Sequence, residues 1–240
     1  MVTASFCELP ELPELAIRQQ RGYRLINSKY PPIALFDDVA DEHDFKALYD
    51  LQALTNPRLN NDAGNLNYLS RDDIPFGIAG CAYAVGPFTH INPLGSRFSN
   101  GSFGVLYLAQ DMPTALAEVG YHQGRYWRRV AGLKYDRLVM RGLAFTFDAA
   151  PVRDALGLPP EHPVYDPDDY SVARRLGGVL KQNGCAAIRY RSVRYAGAVC
   201  WGLFSPRGVT RVVQSSHYEF IWQDGRISEV NRVVSAGGRE

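Results

Sequence analysis

No stretch of the chain approaches the roughly 18 uninterrupted apolar residues that a spanning helix needs, so none is expected to cross a membrane. The N-terminus, MVTASFCELPELPELAIRQQ, has no basic region followed by an apolar run and carries early glutamates and prolines, which argues against a secretory signal. Cysteine is scarce. The four residues Cys7, Cys81, Cys185 and Cys200 form no C-x-x-C pair and are too few for a disulfide framework. Cys185 and Cys200 lie in apolar segments and are expected to be small buried residues. A reducing cytoplasm is the expected location. None of the five histidines stands in an H-E-x-x-H pattern, so no metal is expected. Excess charge is also missing. With 26 basic and 25 acidic residues the net charge is +1, where a general nucleic-acid binder would be more basic. Repeats, low-complexity tracts and a convincing linker are absent as well.

What is present suits a soluble globular chain with one sizeable core: 46% of the residues are hydrophobic and 21% charged. One domain over 1–240 is the simplest organisation, with an arm over about 1–21, a core over about 22–206 and a C-terminal hairpin over about 207–240. CELPELPELAIRQQ reads as an irregular arm with a short helix over Glu14–Gln20. GYRLINSKY alternates as a first strand, with Tyr23, Leu25 and Asn27 on one face. PPIALFDDV reads as an extended connector. Phe45, Leu48, Leu51 and Leu54 follow at helical spacing before Asn56–Pro57. The polar stretch from Asn56 to Pro75 reads as loop, and GCAYAVGPFTH as a buried turn or strand.

FGVLYLA is a strand. Asp111 is placed to cap a helix running to about Gln123, with Pro113 in its first turn. RLVMRGLAFTFDA predicts one or two strands. DDYSVARRLGGVLKQNG predicts a helix with Val172, Leu176, Val179 and Leu180 on one side and Gly184 after it. CAAIRYRSV and AVCWGLFS are strands, and Asp224–Gly225 marks a hairpin turn. Strands outnumber helices without alternating with them. The fold class is therefore α+β, with mostly antiparallel sheets and flanking helices.

The chemistry concentrates in GSRFSNGSFGVLYLAQDMPTALAEVGYHQ. Its loop combines glycines, serine hydroxyls and Arg97, a planar, permanently charged fork suited to phosphate or carboxylate. A plain glycine-rich turn with a solvated arginine has the same composition. On the strand, period two puts Val105, Tyr107 and Ala109 on one face and Leu106 and Leu108 on the other. Tyr107 is either a core tyrosine bonded to backbone or a ring that packs on a planar ligand. On the helix, Met112, Ala115, Leu116 and Val119 form the buried stripe. Glu118 falls on the edge of that stripe, with Ala115 and His122 on its flank. It is either a half-desolvated cleft carboxylate or a glutamate paired to Arg125 or His122. A dinucleotide would use all three groups: phosphate at Arg97, a ring at Tyr107, and a sugar hydroxyl or developing positive charge at Glu118.

The order SRFS…GVLYLA…ALAEVGYH…RYRSVRYAGAVCWGLFSP resembles the RES domain family, the toxins of RES–Xre toxin–antitoxin modules. The arginine, glutamate and serine of that family match Arg97, Glu118 and Ser192. Its strand tyrosine matches Tyr107, and the arginine of its first strand matches Arg24 in GYRL. His122 stands where the family often has a histidine. The resemblance covers roughly Gly22 to Pro206. It departs from the family where Arg97-Phe98-Ser99 replaces the usual arginine–tryptophan–asparagine, and in a long segment from Pro31 to Leu94.

The resemblance implies an ADP-ribosyltransferase-like fold and NAD as substrate. The nicotinamide–ribose bond would be cleaved by hydrolysis, by phosphorolysis or by transfer of ADP-ribose to a protein. It also implies an Xre-type helix-turn-helix antitoxin whose C-terminal part blocks the cleft. Arg97, helped by Arg24, would hold the pyrophosphate, and Tyr107 would pack on the nicotinamide or its ribose. Glu118 would stabilise the oxocarbenium-like transition state, and Ser192 would bond the ligand or orient Glu118. Two other classes compete: a non-catalytic module that binds nucleotides, and an RNA-cleaving toxin. The basic–aromatic runs RYWRR and RYRSVRY are expected to flank an anionic ligand or to lie on the antitoxin interface, with nucleic-acid contact as the lesser alternative.

Overall fold

The computed structural model describes residues 10–29 and 65–234. The sequence expectations for the connector after Tyr30 and for the helix with Phe45, Leu48, Leu51 and Leu54 lie outside the described residues. Among the described residues, seven strands and three helices run in the order β1 (Glu14–Asn27), α1 (Cys81–Thr89), β2 (Leu106–Ala109), α2 (Met112–Trp127), β3 (Tyr135–Asp154), α3 (Ser171–Gln182), β4 (Ala187–Arg191), β5 (Val199–Leu203), β6 (Val209–Gln223) and β7 (Arg226–Val233). The strand order is β1-β2-β5-β4-β3-β6-β7, and β1 also pairs with β3. The first five strands therefore close on themselves, while β6 and β7 extend the sheet from β3. Only the β3–β4 pair is parallel. The α+β class with mostly antiparallel pairing is what the molecule has.

Several elements differ from the sequence expectation. Glu14–Gln20 is not helical but the first half of β1, paired from Glu14 with Arg153 of β3. A partner more than a hundred residues away overrides local preference. An irregularity between Ile17 and Gln20 is held by Asp148, whose Oδ1 accepts from Gln19 N–H at 2.7 Å. GCAYAVGPFTH forms α1 rather than a turn or strand. Cys81, Ala82, Ala84, Val85 and Phe88 are all buried, and burial around the whole circumference erases the polar face that would reveal a helical period. RLVMRGLAFTFDA lies within the single long strand β3. On α3 the buried set is Ala173, Leu176, Gly177 and Leu180, with Val179 left exposed.

Other features follow the sequence closely. The Asp111 carboxylate accepts from Thr114 N–H at 2.8 Å and from the Thr114 hydroxyl at 2.6 Å, capping α2. Burial would raise the Asp111 pKa, but these donors and Gln110 hold it below the ordinary carboxylate value. The turn at Asp224–Gly225 has φ of 51° and 78°, the mirror-image turn that suits a two-residue hairpin. The sheet separates two cores by period two on β2. Val105, Tyr107 and Ala109 face the core shared with α2 and α3, while Leu106 and Leu108 join Phe145, Phe147 and Trp201 on the other side. The stripe Met112, Ala115, Leu116 and Val119 packs α2 on the first core and presents the helix edge beside β1 and β2.

Candidate functional site

A cleft of about 720 Å³ opens where β1, β2 and α2 meet beneath the loop around Gly95. That volume is in the range of small-molecule sites. Arg24, Arg97, Tyr107 and Glu118 all line it, as does His122. Glu118 is the one carboxylate among the described lining residues, against the cations Arg24, Arg97 and Arg125.

Glu118 is held from below. The Ser192 hydroxyl donates to Glu118 Oε1 at 2.7 Å and is itself fixed by accepting from the backbone N–H groups of Arg194 and Tyr195. Ser192 is buried, so its bond to the carboxylate is sheltered from water. The pairing of Glu118 with Arg125, open on sequence grounds, is not the one formed: Arg125 pairs with Asp168 at 3.4 Å. Tyr190 and Cys200 also face the cleft. Burial raises the Tyr190 hydroxyl pKa well above its ordinary value, with neighbouring Cys200 and Glu118 adding to the effect. Burial, then Glu118, pushes the Cys200 thiol up to about 12. Both are therefore neutral near pH 7, and Cys200 is no nucleophile there.

Tyr107 is a strut. Its hydroxyl accepts from Phe98 N–H at 2.9 Å and shares a 2.7 Å bond with the Ser96 hydroxyl. Burial pushes its pKa up to about 12, although the Ser96 and Phe98 bonds and the nearby Arg97 and Arg24 charges pull the other way. The neutral hydroxyl thus ties the Arg97 loop to the sheet. From α3, Arg174 grips the same loop through the carbonyls of Ser96 at 3.0 Å and Leu94 at 2.9 Å. Gly177 lets α3 approach so closely that a Cβ there would collide with the Phe98 carbonyl.

Arg97 is correspondingly fixed and only 8% exposed. One guanidinium nitrogen, Nη1, donates to the carbonyls of Val164 at 3.1 Å and Asp166 at 2.9 Å. The guanidinium also lies 4.3 Å from the centre of the Tyr170 ring. Arg24 is less committed, with one 3.4 Å contact to the Tyr107 carbonyl. Burial lowers its pKa from the ordinary value, yet a guanidinium remains charged at neutral pH. His122 stands one turn beyond Glu118, edge-on to Tyr121. Desolvation at the cleft wall, then the charges of Arg194, Arg97 and Arg125, holds its pKa below the ordinary value and keeps it neutral at pH 7.

A second loop completes the wall. The Pro163–Tyr165 turn and the residues after it are tied to α2 through Asp168, which accepts from the Tyr121 hydroxyl at 3.1 Å. Arg194 stacks over Tyr121 and donates to the Pro167 carbonyl. Sequence reasoning did not select Tyr170 or Tyr190. Tyr190 was within reach, because period two on β4 puts it on the same face as Ser192. Nothing local marks Tyr170, a tyrosine in an acidic loop.

The chain is 31% identical over 228 residues to a protein of Sinorhizobium fredii (strain NBRC 101917 / NGR234) named Uncharacterized protein y4oC, covering 94% of this chain and 93% of that one. A solved structure, the M. tuberculosis MbcT–MbcA toxin–antitoxin complex, aligns with a TM-score of 0.35 at 13% identity, over 51% of this chain and 73% of that chain. The family model for the RES domain matches residues 74–223, which hold Arg97, Tyr107, Glu118 and Ser192 and most of the cleft wall, and the chain belongs to the RES domain family.

Proposed function

We propose that this protein is the toxin of a toxin–antitoxin pair and that it consumes NAD by breaking the nicotinamide–ribose bond. The observation that carries the reading is the Glu118 carboxylate in the cleft, fixed by the buried Ser192 hydroxyl at 2.7 Å and faced by arginines. A dinucleotide brings two phosphates and a ribose that gains positive charge as the bond breaks. Arg24 and Arg97 suit the first, and a fixed carboxylate suits the second.

In the step envisaged, the C1′–N bond breaks heterolytically and its electron pair leaves with neutral nicotinamide. Positive charge develops on the ribose beside Glu118 and is quenched when an acceptor oxygen or nitrogen adds to C1′. The leaving group is already cationic, so no strong general acid is required. Ser192 holds the carboxylate in one orientation, which spares reorganisation as charge develops. Tyr107 and Arg174 act through the loop by holding Arg97 in place. The partner that restrains the activity is proposed to be a protein antitoxin of the Xre type, a reading that rests on membership of the family alone.

Incubation of the purified protein with NAD, with and without inorganic phosphate, tests the reading. Nicotinamide should accumulate. Dependence on phosphate identifies phosphorolysis, and release only with a labelled protein band identifies transfer to a side chain. NAD that stays intact with phosphate, without it and with added cell extract overturns the proposal.

A further inference from the structure

Helix α2 has a second lined flank. On the side away from the cleft, a groove of about 440 Å³ runs between α2 and the β6–β7 hairpin. Its walls and floor are apolar: Leu116 from the helix, and Trp222, Ile227 and Val230 from the hairpin. An irregularity in the β6–β7 register brings Ile227 opposite Trp222 and Val230 opposite Phe220, so Ile227 and Val230 share the side that faces α2. Val230 remains 43% exposed.

The helix wall contains Gly120, which is partly exposed, and one turn on Gly124, which is buried beneath Ile227 and Arg128. Glycine in a helix interior is unfavourable, and the fold does not require it here. A Cβ at Gly120 would meet Phe220 at 3.6 Å, and one at Gly124 would meet Ile227 at 3.6 Å, both ordinary contacts. What the missing side chain at Gly120 does provide is room for another backbone to approach the helix closely. From Leu116 to Arg128 the wall runs about 18 Å, enough for three turns of a helix laid alongside. The charge is one-sided. Arg128 and Arg226 stand at the rim, and among the described residues no carboxylate lines the groove and neither arginine has an ionic partner.

We propose that this groove is the docking surface for an amphipathic helix of a partner protein. The apolar stripe of that helix fills the space over Trp222, Ile227 and Val230, and acidic residues on its flanks meet Arg128 and Arg226. Rim charges of this kind set partner choice and association rate, while the apolar floor supplies the contact area. The surface is separate from the cleft and independent of the reaction assigned to it.

The probe is a helix-stabilised peptide of about three turns, leucine at i, i+3, i+4 and i+7, with glutamate on both flanks. Its counterpart carries lysine instead. By fluorescence anisotropy at low salt, the glutamate peptide should bind the full chain at least about tenfold more tightly than the lysine peptide. The double variant Arg128→Glu/Arg226→Glu should reverse that preference, and Gly120→Leu should abolish binding by filling the groove. Circular dichroism and thermal melting check that both variants remain folded. Arg24→Ala, in the cleft, should leave binding unchanged. The proposal is overturned if the two peptides bind alike or not at all. It is equally overturned if Arg24→Ala removes binding while the groove variants keep it, or if the groove instead mediates self-association that Gly120→Leu abolishes.

Discussion

The two flanks of α2 are built on opposite principles. On the cleft flank, polar groups are tightly tethered: Glu118 to Ser192, Tyr107 to Ser96 and Phe98, and Arg97 to two carbonyls and an aromatic face. On the groove flank, apolar side chains and Gly120 leave space that the described residues do not fill. A site for chemistry needs groups held still before the reaction begins, and a docking surface needs vacant, complementary shape. One helix satisfies both because its circumference is divided, with Ala115 buried between the stripes. Substitutions on the first flank should therefore damage the molecule, and substitutions on the second should leave it intact or improve it.

The largest effect is expected at Glu118. Glu118→Gln should slow nicotinamide release about 10²- to 10³-fold, in line with the loss of one preorganised electrostatic group, with an unchanged circular dichroism spectrum. Arg97→Ala should follow, destabilising the fold by about 2–4 kcal/mol in denaturant titrations, because it strips two carbonyls of a charged donor and Tyr170 of its cation. Tyr107→Phe should cost about 1–3 kcal/mol by leaving the Phe98 N–H without its acceptor. It should also lower activity although the ring is retained, which separates a strut from a stacking platform. Gly124→Ala has the opposite sign, raising stability by about 0.5–1 kcal/mol without changing NAD turnover. A loss of stability there would erase the distinction between the flanks.

The smallest effect concerns pH. The His122 pKa is lower in the folded chain than its ordinary value, so the unfolded chain takes up the proton first. The resulting stability is present above the ordinary histidine pKa and is lost as pH falls through the folded value. His122→Asn should flatten that part of the stability profile below about pH 6.5.

Much of the cleft flank was readable along the chain because it is local. Strand β2, the Asp111 cap and the edge position of Glu118 follow from period two, capping chemistry and period 3.6 within a few residues of one another. What holds these groups in place was not readable. The carbonyls that fix Arg97 lie nearly seventy residues further on, and the arginine that grips its loop comes from α3. The same limit explains β1, whose first half looks helical until β3 is laid beside it. The family resemblance was needed to select Ser192, since a serine after a strand has no distinctive pattern of its own. The groove escaped notice for a geometric reason: Gly120, Gly124, Ile227 and Val230 come from segments about a hundred residues apart, and each alone is unremarked.

The central claim is that Glu118 acts on the developing charge rather than on binding. Titration calorimetry of NAD into Glu118→Gln, paired with single-turnover nicotinamide release, tests it most directly. NAD should bind the variant within about threefold of the wild-type affinity while release falls by two orders of magnitude or more. Release at the wild-type rate, or a defect that disappears at saturating NAD, would contradict it.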